Sequence, residues 1–99
     1  MTMKLMQLIL KSKVPRADAM AAFEQAAPAF AAINGLTWKV WLENKDGTIS
    51  GLYYFKDGAD LEAYKETDMY KQVPPIFEVI SSETYDILEE LSKVTRAPL

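Results

Sequence analysis

Hydrophobic residues recur along this chain with two periods, and the switches between them predict its elements. Lys4 to Lys11 (KLMQLILK) is apolar at Leu5 and Ile9 on one parity and at Met6, Leu8 and Leu10 on the other, which predicts a strand that needs cover on both faces. After Pro15, Met20, Phe23, Ala27 and Phe30 recur at three- and four-residue spacing and predict a helix with one apolar stripe. Pro28 lacks the N–H that would bond to Glu24, so a kink or break is expected there, and Asn34-Gly35 closes the helix. Leu36 to Glu43 (LTWKVWLE) and Ile49 to Phe55 (ISGLYYF), rich in aromatic and β-branched residues, predict the next two strands. Asn44 to Thr48 between them has the chemistry of a three-residue hairpin loop with a glycine bulge.

Asp57, with Asp60 three residues on, reads as the cap of a shorter second helix through Leu61, Ala63 and Tyr64. Met69 to Pro75 ends in two prolines, Ile76 to Ile87 alternates well enough for a fourth strand, and Leu88 to Val94 suits a last helical turn or two. Thr95 to Leu99 is expected to be a loose tail. The order strand, helix, strand, strand, helix, strand is that of a ferredoxin-like α+β domain, a βαββαβ chain with a four-stranded antiparallel sheet and two helices on one face, in a single domain over residues 1–99. The first three strands are apolar on both parities, so the second face of the sheet also needs cover, and a homodimer packed sheet to sheet is the economical expectation.

The bulged loop pairs Asn44 with Thr48, hence Trp41 with Gly51, Lys39 with Tyr53 and Trp38 with Tyr54. Lys39, Trp41, Glu43, Gly51, Tyr53 and Phe55 then share one face. Trp38, Val40, Leu42, Leu52 and Tyr54 share the other and are expected to form ordinary core. Opposite Gly51, Trp41 either fills the space left by the missing side chain or walls an aromatic pocket together with Tyr53. Lys39, between two tryptophans, is either an edge-strand lysine with its charge in water or a cation that holds a phenolate or enolate. Asn34 is expected to act as a helix stop, Asp57 and Asp60 as helix-cap groups, and Glu89 with Glu90 as a solvated charge pair.

Composition narrows the chemistry. The 99 residues carry a net charge of −3, and no His or Cys, which removes the usual ligands of zinc, copper, haem and iron–sulfur clusters and the usual general base. The acidic balance speaks against nucleic acid: although Gly51-Leu52-Tyr53-Tyr54-Phe55 has the look of an aromatic RNA-binding strand, Ser50 stands where a basic residue is wanted. No apolar stretch nears the ~20 residues of a membrane helix, and the first ten residues are too short and interrupted for a signal peptide, so a cytoplasmic protein without a membrane partner is expected. No phosphate loop, dinucleotide fingerprint or nucleophile elbow occurs.

Gly35, Trp38-Lys39-Val40-Trp41, a short turn, then Gly51, Tyr53 and Phe55 form a pattern that resembles the YdhR-type family of monooxygenases. Met6-Gln7-Leu8 and Tyr85-Asp86-Ile87 are similar to that family's first and last strands, so the resemblance covers nearly the whole chain. It implies a dimeric α+β barrel, related to small enzymes that oxidise aromatic phenols with O₂ and use no metal or flavin. It also implies roles: Lys39 stabilising a phenolate, Tyr53 donating or relaying a proton, Trp41 and Phe55 sandwiching the ring beside Gly51. The absence of any His departs from those related folds that use one as a base. A dimer that binds a small aromatic molecule without turnover, or an isomerase or decarboxylase on the same fold, are the alternatives.

Overall fold

The computed structural model describes residues 2–99. Its elements run β1 (Lys4–Ser12), α1 (Arg16–Ala31), β2 (Leu36–Glu43), β3 (Ile49–Phe55), α2 (Gly58–Lys65), α3 (Asp68–Lys71), β4 (Phe77–Asp86) and α4 (Glu89–Val94). The four strands form one antiparallel sheet in the order β2-β3-β1-β4, the ferredoxin-like α+β plan. β1 therefore lies inside the sheet, with Met6 buried and Leu5 and Ile9, of the other parity, half-buried.

The hairpin has the register that its loop chemistry demands. The Asn44 N–H donates to the Thr48 carbonyl at 2.8 Å, the Gly47 N–H donates back to Asn44 at 3.0 Å, and Gly47 takes φ +88°, the left-handed bulge position. Trp41 consequently pairs with Gly51, Lys39 with Tyr53 and Trp38 with Tyr54. Lys39, Trp41, Tyr53 and the buried Phe55 thereby face the helices, together with Met6, Leu8 and Leu10 of β1.

The core lies between that face and the helices in two patches. Met6, Tyr53, Phe55, Leu61 and Tyr64 form one, and Ala19, Ile49 and Phe77 form the other. α2 is capped as expected by Asp57, whose Oδ1 accepts from the Ala59 N–H at 2.9 Å. Asp60 stands in the first turn of α2, as expected, and its carboxyl also lies against Gly35, where a Cβ would fall 2.3 Å from its Cγ. Gly35, at φ +83°, supplies the left-handed turn after α1 and Asn34 does not.

Four expectations need correction. α1 runs through Pro28 as one helix; Glu24 and Pro28 both face solvent, so the carbonyl freed by the missing N–H can be hydrated. The Trp38, Val40, Leu42, Leu52, Tyr54 face is not ordinary core, because no long helix lies over it: Val40 is 42% and Leu42 39% exposed, while Tyr54 alone is fully buried. The C-terminal tail is not loose. It crosses this open face, with α4 beside Tyr54 and the Trp38 indole Nε1 donating to the Pro98 carbonyl at 2.9 Å. Glu89 and Glu90 are not alike, since Glu89 accepts from Lys93 Nζ at 2.8 Å, one turn on, and is half-buried. No helix among the described residues is long and apolar enough to cross a membrane.

Candidate functional site

Between the sheet, α1 and the α2–β4 connection lies a cavity of about 200 Å³, open to solvent on one side. β1 contributes Leu8 and Leu10, α1 Phe23 and Phe30, α2 and α3 contribute Tyr64, Met69 and Tyr70, and β4 closes the far end with Phe77. β2 and β3 supply Lys39, Trp41, Gly51 and Tyr53. A dry apolar cavity of comparable size, about 150 Å³, holds a benzene ring, so this one has room for one or two rings, with more reaching through the mouth.

Among the described residues Lys39 is the only charged side chain on the wall. Its Nζ stands 3.3 Å from the centroid of the Phe30 ring, 3.5 Å from that of Trp41 and 4.5 Å from that of Tyr53. Among the described residues no carboxylate pairs with it. Two effects oppose each other: the π faces favour the ammonium, and loss of water disfavours it. Desolvation brings the Lys39 pKa down to about 7. The charged and neutral forms are thus both accessible near neutral pH.

Gly51 makes this arrangement fit. A Cβ there would lie 3.0 Å from Lys39 Cε and 3.1 Å from Tyr53 Cε1. The space over the glycine is therefore taken by the lysine stem and the tyrosine ring, and Trp41 instead meets α1, its ring 5.1 Å from Phe23 and 5.3 Å, edge-on, from Phe30. Both earlier alternatives for Trp41 resolve toward the wall of the cavity.

Tyr53 is 2% exposed, and burial pushes its pKa far up, with the Tyr64 ring beside it. It stays protonated, a donor rather than a base. Burial likewise raises Tyr64, whose ring lies 5.7 Å from Tyr53 and 5.7 Å from Tyr70. The Tyr70 hydroxyl bonds Ser82 Oγ at 2.9 Å at the exposed rim. Phe55 is not brought to the cavity: fully buried, it backs Tyr64 from behind, ring centroids 6.0 Å apart, and cannot sandwich a ligand against Trp41.

Phe23, Phe30, Tyr64 and Tyr70 were not singled out by sequence reasoning. The signal for the two phenylalanines is their seven-residue spacing, which puts both on the α1 stripe over β2. Tyr70 sits on α3, a one-turn helix capped by Thr67, whose hydroxyl accepts from the Tyr70 N–H at 3.4 Å, and a helix that short has no periodicity to read. No three His, Cys, Asp or Glu side chains cluster as metal ligands among the described residues.

The family described as putative mono-oxygenase ydhR matches residues 5–98. The chain belongs to that family. No functionally curated protein matches it. Among solved structures, a DABB family protein with a ferredoxin-like fold from Mesorhizobium loti is similar at 15% identity and TM-score 0.68, covering 89% of this chain and 97% of the other. Protein SO0527 from Shewanella oneidensis is similar at 21% identity and TM-score 0.67, with 87% and 91% covered. A Bacteroides thetaiotaomicron protein described as a possible oxidoreductase is similar at 14% identity and TM-score 0.64, with 87% and 98% covered. At these identities the likeness is one of fold.

Proposed function

We propose that this ydhR-family chain is a cofactor-independent monooxygenase that oxidises small phenolic or quinol-like aromatics with O₂. The observation that carries the reading is one amine, unpaired by any carboxylate among the described residues, amid three aromatic rings on the wall of a largely apolar cavity. Such a site accepts a flat ring, meets its hydroxyl with the one polar group that can change charge, and keeps water from the rest.

Lys39 takes the place of the missing histidine. As the free amine it removes the phenolic proton, and as the resulting ammonium it holds the phenolate in a medium where that attraction is strong. The electron-rich anion then reduces O₂ directly. At an anthrone-type CH₂, one oxygen atom ends in the new carbonyl and the other leaves as water with the two hydrogens, so the substrate is itself the reductant. Tyr53, held protonated, donates to the developing oxygen anion, and Trp41 gives the ring its flat wall.

The second copy belongs to the same proposal. Val40, Leu42, Ile80 and Tyr85 are exposed, and a homodimer across the open sheet face would cover that surface. The cytoplasm, where a chain without cysteine needs no oxidising milieu, is the proposed compartment.

The test is oxygen uptake by metal-stripped protein with hydroxylated anthrones, naphthols and hydroquinones, each corrected for its own autoxidation. Uptake above that background that disappears in Lys39→Met supports the reading. Saturable quenching of tryptophan fluorescence with no uptake overturns it in favour of a binding protein, which the apolar wall would equally serve.

A further inference from the structure

The Lys39 amine has a second chemistry open to it that needs no oxygen. Its Nζ has aromatic faces, in place of carboxylates, for neighbours. Those faces shelter the nitrogen without tying up its lone pair in a hydrogen bond. The absence of a side chain at Gly51 lets the Lys39 stem lie over the glycine, within the cavity wall. Tyr53 lines the same wall, its ring centroid 4.5 Å from Lys39 Nζ.

We propose that Lys39 is also a nucleophile that forms an imine with aromatic aldehydes or ketones lodged in this cavity. The Nζ lone pair attacks the carbonyl carbon, a C–N bond forms, and the π electrons of the carbonyl pass to its oxygen, which takes a proton from Tyr53. The resulting carbinolamine loses that oxygen as water while nitrogen gives up its two protons, one of them restoring Tyr53. Amine and carbonyl thus become imine and one water, with nothing oxidised or reduced. An amine free of its proton at neutral pH is what this step requires, and desolvation in an apolar pocket provides it.

Among the described residues no other charged group faces Lys39 across the cavity: α1 presents Phe23, Ala26 and Phe30, and the remaining titratable groups are Tyr53, Tyr64 and Tyr70. With a pKa of about 7, half of the Lys39 amine is free at pH 7. An ordinary lysine has roughly 1 part in 10³ free there. The reaction should therefore single out one lysine.

The probe is 2-naphthaldehyde with sodium cyanoborohydride at pH 7 under nitrogen, followed by intact mass and peptide mapping. The expected result is a secondary amine at Lys39, formed at least about tenfold faster than at any other lysine. Its rate should level off above about pH 7, where the other lysines continue to gain. 2-Naphthol should protect the site by competing for the cavity. Lys39→Arg, which keeps a cation but cannot form the imine, should lose the fast adduct with an unchanged circular dichroism spectrum. Labelling spread evenly over the lysines, or no adduct at Lys39, overturns the proposal. Because wild-type protein alone decides this and oxygen is excluded, an adduct without oxygen uptake leaves the imine chemistry standing while the monooxygenase reading falls. Uptake without an adduct does the reverse.

Discussion

At the scale of the residue, the molecule turns on one amine whose neighbours are rings. Folding lowers the Lys39 pKa to about 7 from an ordinary value near 10.5. Between those values the unfolded chain binds more protons than the folded one, so this residue makes stability rise with pH across about 7 to 10.5 and fall as pH drops through 7. Urea melts of wild type and Lys39→Met should differ in their pH dependence in that window, the variant losing the upward slope. The proposed base role gives a parallel expectation for turnover, which should climb with an apparent pKa of about 7. A flat profile there would deny Lys39 the proton transfer. Tyr54 poses the opposite case. Its hydroxyl is just beneath the surface of the open face, shut off from water and without a hydrogen-bond partner. Tyr54→Phe should be neutral or should raise stability by up to about 1 kcal/mol in thermal or urea unfolding.

At the scale of the element, two glycines hold the parts in register. Gly35 combines a left-handed backbone with a Cβ position already occupied by Asp60, so Gly35→Ala should lower stability by about 1–3 kcal/mol in urea melts. Gly51 sits where the obstacles are the end of a flexible lysine and the edge of the buried Tyr53 ring, so Gly51→Ala should lower stability by about 1–2 kcal/mol in urea melts and misplace the amine. The expected loss in kcat/KM is roughly 10²-fold. The strands and their pairing are legible in the sequence because alternation and turn chemistry are local: Asn44 to Thr48 alone determine that Lys39 and Tyr53 stand side by side. What lies above them is not local. Phe30 reaches Lys39 only because α1 crosses the sheet at one particular angle, and Tyr64 and Tyr70 arrive from two further helices. Phe55 shows the same limit, since its parity is right but Tyr64 stands in front of it. Parity tells which face a residue joins and leaves open how far along that face the cavity extends.

At the scale of the whole molecule, the sheet is asymmetric in its cover. Helices α1, α2 and α3 lie on one side, and only α4 and the tail touch the other. The proposed homodimer should appear in light scattering at twice the 11.2 kDa chain mass, and replacing Val40 and Leu42 with Asp should return it to one chain. A wild-type monomer would leave that apolar face unaccounted for. β2 meanwhile places its two tryptophans on opposite sides of the sheet, three residues apart: Trp41 against the cavity, Trp38 under the tail. One strand therefore carries two optical reporters that look at different events. A molecule entering the cavity should quench Trp41 alone, whereas release of the tail or arrival of a second copy should shift Trp38 alone. Single-tryptophan versions, each with the other replaced by Phe, would separate ligand from assembly in the same cuvette.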